Sequence, residues 1–206
     1  MSVSRRMADF MEIDMRTHMK EYTEPIFSTL DRYRSDLLAH PLLEAARTGQ
    51  IERPILEMFA YYQDADSITW IPMLAQMKSM AVRSRRLQAA IEDNIAHEAG
   101  IGGVSHTLLA ARLMRSLGIR TLATLPPSST EGLANTAGLW LSDAFANMPE
   151  PALAGWLLTA ESLVPEMFAV MAPSFTAIGA DTTYFTQHVA VDTDEHLRSH
   201  RPRIRP

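Results

Sequence analysis

His188, Asp192 and His196 stand four residues apart in the segment YFTQHVAVDTDEHLRSH. In an α-helix, positions i, i+4 and i+8 fall within an arc of roughly 80°, so two imidazoles and a carboxylate share one face. Such a set makes half of a metal site. Glu195 lies on the edge of the same arc. The other half must come from different helices, and Glu98, His106 and Glu161 are the candidates. Carboxylates combined with two or three imidazoles, all carried on helices, suit iron or manganese better than structural zinc.

Glu98 and His106 belong to the segment NIAHEAGIGGVSHTLLAARLMRSLG. One helix ends near Glu98–Gly100 and another begins near Ser105–His106. Gly100, Gly102 and Gly103 in the turn permit backbone shapes that a side chain would resist. The turn can therefore bring Glu98 and His106 toward one point, although a helix-terminal Glu and a surface His would explain the pair equally well. Glu161 lies in GWLLTAESLVPEMFAVM, apolar on both sides. An ionised carboxylate there needs a partner, either a metal ion or an arginine from another helix, because burying it alone costs several kcal/mol. Glu166 is its nearby competitor. Asp64, in FAYYQDADSITWIPML, has the same character, with Asp66 as rival. A polar residue hydrogen-bonded beside Tyr61 and Tyr62 is the alternative account of Asp64.

These groups must be positioned by helices. Apolar residues recur at helical spacing, which predicts helices at about 4–22, 25–38, 52–80, 83–99, 104–117, 130–147, 150–178 and 181–199. Pro25 and Pro54 suit first turns, Pro41 opens the short piece PLLEAART, and Gly118 and Gly179 suit C-terminal stops. Pro72 and Pro165 fall inside helical patterns and are expected to kink them. LPPSST at 125–130 is the clearest loop. With no internal repeat and no long linker, the expectation is one all-α domain over residues 1–206.

Composition narrows the chemistry. The chain has 206 residues, 47% hydrophobic and 21% charged, the profile of one soluble globular domain. Cys 0 excludes disulfides, zinc-thiolate sites and cysteine nucleophiles. A net charge of -5 gives no reason to expect nucleic acid. Arg83, Arg85 and Arg86, and the tail Arg198, Arg201, Arg203 and Arg205, read as solvated helix ends and a frayed terminus. Met7, Met11, Met15 and Met19 share a helical face and read as core packing. No stretch of about 18 apolar residues predicts a transmembrane span, and the N-terminus lacks the apolar stretch of a secretory signal, so a cytoplasmic location is expected. No G-x-S-x-G elbow occurs to support a serine hydrolase.

In their order along the chain, these residues resemble the haem-oxygenase-like di-iron oxidases and oxygenases. That family's pattern is a carboxylate on an early helix, then N-x3-E-x-G followed by a His, then an isolated Glu, then His-x3-Asp followed closely by His. The matching residues are Asp64; Asn94, Glu98, Gly100 and His106; Glu161; and His188, Asp192 and His196. The resemblance implies an up-and-down bundle of about seven helices. It implies two Fe(II) ions held by Glu98, His106, Glu161, His188, Asp192, His196 and Asp64, with O2 as co-substrate. It further implies oxidation of a small organic substrate, by N-oxygenation of an amine or oxidative C–C cleavage of an amino- or fatty-acid-like molecule, in natural-product biosynthesis by analogy. The partners expected are a small-molecule substrate and at most a second copy of the chain as a homodimer, with no nucleic acid and no membrane.

The scaffold also resembles thiamine-degrading enzymes through the QDAD stretch, but their chemistry relies on a cysteine that this chain lacks. A haem oxygenase would use a proximal His near the N-terminus, where His18 is available, yet it leaves Glu98, Glu161 and Asp192 without a role. A non-catalytic metal- or partner-binding bundle is the runner-up. Phe59, Trp70, Trp140, Trp156, Phe168 and Phe185 are expected to wall a pocket or fill the core.

Overall fold

A computed structural model describes residue 25 and residues 28–101, 103–119 and 147–191. The chain divides into two compact units, Met1–His40 and Pro41–Pro206. In the first, residues 28–38 form helix α1. In the second, the order is α2 (Pro41–Arg47), α3 (Arg53–Met80), α4 (Arg85–Glu98), α5 (His106–Ser116), α6 (Glu150–Ala177) and α7 (Thr183–Val191). No strand occurs among the described residues, and the fold is all-α as expected. The expected helices at 4–22 and 130–147, the loop at 125–130, Trp140 and His18 lie outside the described residues.

The helix limits follow local chemistry. Ser84 and Ser105 cap α4 and α5, accepting hydrogen bonds from the amides of Leu87 and Leu108. Each such cap contributes about 1 kcal/mol. Pro54 sits in the first turn of α3, where its missing N–H costs nothing. Gly118 and Gly179 follow the ends of α5 and α6 in left-handed backbone, at φ 78° and 76°. Pro72 and Pro165 both lie within unbroken helix, as does Pro173. Pro165 has no N–H to give the carbonyl of Glu161 four residues earlier, so that carbonyl lacks its usual helical donor.

The long helix α3 packs on α4, α5 and α6; α6 packs on α2 and α7, and α5 on α7. One apolar cluster joins α3, α4 and α6 through Met73, Leu74, Met77, Ile91, Leu153 and Leu157. A second is aromatic: Phe59, Phe168, Phe175 and Phe185 have ring centroids 4.8 to 6.5 Å apart. Each fully buried ring stabilises the fold by roughly 1.5–3 kcal/mol. Polar ties fix how the helices sit. The Thr107 hydroxyl donates to the Ser67 carbonyl (3.1 Å), holding the first turn of α5 against α3. The Ser174 hydroxyl donates to the Ala46 carbonyl (3.2 Å), tying α6 to α2.

By length and composition α6 is apolar enough to cross a membrane, which the sequence reading did not anticipate. Its Leu153, Leu157, Phe168, Met171 and Phe175 are buried against neighbouring helices.

Candidate metal centre

Glu98 is the last residue of α4 and His106 the first of α5. The turn between them is tight. Gly100 adopts φ 76°, and a Cβ there would stand 2.3 Å from the Ser105 nitrogen and 2.6 Å from the Val104 carbonyl carbon. Only glycine fits such a backbone-to-backbone approach. The result is the convergence expected from the sequence: His106 Nδ1 lies 2.9 Å from Glu98 Oε2, with both side chains nearly buried. The distance is that of an ion pair, yet the geometry is not that of a hydrogen bond, and among the described residues Nδ1 has no hydrogen-bond partner. A buried ring nitrogen aimed beside a carboxylate without bonding to it suits a shared third atom. Glu98 also stands at the C-terminal, negative pole of α4, where a carboxylate is disfavoured and a cation is welcome.

His188 comes from α7 and is buried. Its ring centroid is 4.0 Å from that of His106. Nδ1 lies 2.8 Å from the carbonyl of Tyr184, one turn earlier. The carbonyl can only accept, so Nδ1 carries the proton and Nε2 presents a lone pair. This is the usual way a ligating histidine is oriented. Burial, reinforced by His106, pushes the His188 imidazole down to about 3, so it is neutral near pH 7. Phe168 and Tyr184 flank it, with centroids at 5.0 and 4.5 Å.

Glu98, His106 and His188 can each offer one ligand atom, all within 4.8 Å of one another. Donors about 2.1 Å from a common ion lie at most about 4.2 Å apart, so small side-chain shifts would close the set. Beside them is a cavity of about 60 Å³ whose lining includes Asp66, Glu98, Glu161 and His188, with Gln63, Trp70 and Phe168 among its other walls. Glu161, partly buried on α6, accepts a hydrogen bond from the Asn94 amide. Burial raises its carboxyl to about 7; the Asn94 bond opposes that, and the charge of Glu98 adds to it. Asp66 is raised to about 6, by burial and then by Glu98. Three carboxylates with two imidazoles, and no Lys or Arg among the described lining residues, form a donor set that fits a hard or borderline cation.

The structure thus brings together Glu98, His106 and His188, with Glu161 at the same cavity. Asp192 and His196 lie outside the described residues, as does Glu195. Asp64 is set apart from the other candidates: it does not line the cavity, and its carboxyl is raised by partial burial, a shift that the charge of Arg115 of α5 partly offsets. Two residues on a helix point about 200° apart, so Asp64 and Asp66 cannot both face the site. The structure gives that position to Asp66. Trp70, one turn after Asp66, lines the same cavity, and reading it as an inner residue would have selected Asp66. Glu166 does not line the cavity. His97, whose ring is 5.8 Å from His106, and Tyr184 are further neighbours that spacing alone did not single out. Trp70 and Phe168 wall the cavity, Phe185 is fully buried with the partly buried Phe59 against it, and Trp156 packs on Trp70 with ring centroids 5.3 Å apart.

A family model described as iron-containing redox enzyme matches residues 55–203, most of the chain. No curated protein and no solved structure matches it.

Proposed function

Since the chain belongs to the haem-oxygenase-like family of iron-containing redox enzymes, we propose that it is a non-haem di-iron enzyme that uses O2 to oxidise a small organic substrate. The observation that carries this reading is the buried convergence of Glu98, His106 and His188, with the His106 Nδ1 held beside a carboxylate it does not hydrogen-bond. Glu98, His106 and His188 would hold one ion. Asp66 and Glu161 bring further carboxylate oxygens to the same cavity for a second. Asp192 and His196, four and eight residues after His188 in the sequence, complete the proposed ligand set.

Ferrous iron, when bound, supplies the electrons for O2 activation. The chain's own residues do the rest. The Tyr184 carbonyl keeps His188 in the tautomer that offers Nε2. The carboxylates balance the charge of the cations. Trp70, Val164 and Phe168 exclude water and present an apolar wall, while Gln63 and Ser67 supply polar contacts for orienting a substrate. N-oxygenation of an amine and oxidative C–C cleavage are the reaction types that go with this reading, and a cytoplasmic location, as a monomer or homodimer, goes with it too.

Anaerobic titration with Fe(II), followed by exposure to O2, tests it. Two irons bound per chain and O2 consumed in step with them are expected. Saturation at one iron removes the di-iron assignment. Tight binding with no O2 uptake in any reductant or substrate mixture makes the protein a metal-binding bundle instead.

A further inference from the structure

Asn94 lies on α4 one turn before Glu98, and it is 4% exposed. Both ends of its amide are engaged. The Trp70 indole N–H donates to Oδ1 at 3.4 Å, and Nδ2 donates to Glu161 Oε1. An indole nitrogen can only donate, so it must meet the amide oxygen. The NH2 is thereby turned toward Glu161, which can accept. Had the amide been reversed, two donors would face each other at Trp70 and two acceptors at Glu161. Trp70 therefore decides which way the amide points.

Trp70 is itself held. Its ring packs against that of Trp156, inclined at 39°, and Trp156 shares α6 with Glu161. The contacts form a closed circuit through three helices: Trp70 of α3, Asn94 of α4, Glu161 of α6, then Trp156 of α6 back to Trp70. Rigid links of this kind fix a side chain more tightly than one hydrogen bond does. Trp70 also forms part of the cavity wall that Glu161 lines. We propose that Asn94 is the positioning residue for Glu161, engaging Oε1 so that Oε2 is presented to the cation site, with Trp70 setting the amide's orientation. The proposal rests on the metal-centre reading for its purpose. Its structural core, the Trp70–Asn94–Glu161 linkage, does not depend on that reading.

Two measurements decide it. The first is calorimetric titration with Mn(II) or Co(II). Asn94→Ala lowers affinity by roughly 10- to 100-fold, the usual consequence of removing a partner that orients a ligand. Asn94→Asp keeps the size and the acceptor for Trp70 but loses the NH2 donor, and gives a loss of the same order. Trp70→Phe keeps most of the packing and costs several-fold. In a Glu161→Ala background, Asn94→Ala has no further effect, because a residue acting through Glu161 has nothing left to orient. Additive losses in that double variant, or unchanged affinity in Asn94→Ala and Asn94→Asp, overturn the proposal.

The second measurement needs no metal. In the metal-free protein, the side-chain amide resonances of Asn94 are slow to exchange with solvent. They shift and lose protection in Glu161→Ala and in Trp70→Phe. A rapidly exchanging amide, indifferent to both substitutions, also overturns the proposal. If the wild-type chain takes up neither Mn(II) nor Co(II) while the amide behaves as described, the metal reading falls and the linkage stands.

Discussion

At the residue scale, the site is defined by which atoms lack ordinary partners and which are oriented toward a common point. His188 commits its Nδ1–H to the Tyr184 carbonyl, and the bond stays within its own helix. His106 Nδ1 is buried beside Glu98 without bonding to it. From α3 it is Asp66, not Asp64, that lines the adjoining cavity, and this contrast is testable. On the proposed di-iron reading, Asp66→Asn removes a carboxylate oxygen and its charge from the cavity, and the iron bound per chain, measured after anaerobic loading, is expected to fall from two toward one. Asp64→Asn changes a group that does not line the cavity and leaves loading unchanged. Equal effects from the two substitutions would show that the second ion does not sit where Asp66 lines the cavity. Both variants are conservative in size and lie on the same helix, and melting curves of each separate a loss of iron from a loss of folding.

At the scale of elements, the joint between α4 and α5 carries the geometry. Its helix ends are set by Ser105 as cap and by the left-handed Gly100, and both signals are written locally in the sequence. That is why the turn and the convergence of Glu98 with His106 were legible in the sequence. The helices themselves were legible for the same reason: caps, prolines and stops act within a few residues, so the bounds of α3 to α6 fall within two residues of expectation. The choice between Asp64 and Asp66 was not legible. It depends on how α3 is rotated against α5 and α6, and α3 is apolar around much of its circumference, so the sequence offers no clear inner stripe. The Asn94 linkage was hidden too, since it needs three helices to meet.

The joint makes a sharp prediction. At Gly100, an alanine Cβ would overlap backbone atoms of Val104 and Ser105 that cannot yield without opening the turn. Gly100→Ala is expected to destabilise the fold by about 2–4 kcal/mol in denaturant unfolding, combining the positive-φ penalty with the overlap. It should also lose iron binding, because His106 moves with Ser105. At Gly103 nothing lies within 4 Å of a Cβ, and φ is not positive. Gly103→Ala is therefore expected to stay within about 0.5 kcal/mol of wild type and to bind iron normally.

At the scale of the whole molecule, the site links charge, stability and metal uptake. Glu161 is raised from 4.5 to about 7 and Asp66 from 3.8 to about 6, each by burial first. For both, the folded chain holds protons more tightly than the unfolded chain. Their contribution to stability is present at low pH and is lost as pH rises through 6 and 7. His188, lowered from 6.5 to about 3, acts in the opposite sense: the unfolded chain binds its proton more tightly, so stability rises with pH between about 3 and 6.5. The trends oppose each other up to about pH 6.5, and above that Glu161 acts alone among the three.

The metal-free protein should therefore melt at a lower temperature at pH 8 than at pH 6.5. Holding Glu161 ionised costs the fold roughly 3 kcal/mol at the upper limit. A cation reverses the trend, because it takes the place of those protons: metal affinity rises with pH from about 5.5 and levels off above 7, and protons are released on binding. Glu161→Gln separates the two effects. It keeps a group able to accept from Asn94 and removes the charge. In the metal-free state this variant should be more stable than wild type at pH 8 and nearly equal to it at pH 5, while its iron affinity falls. A stability cost retained for binding is what a functional site leaves in a fold. Melting curves at the two pH values, with and without Mn(II), read both halves. If Glu161→Gln melts below wild type at pH 8 without metal, the buried carboxylate was not a burden to the fold, and a cation is no longer needed to account for it.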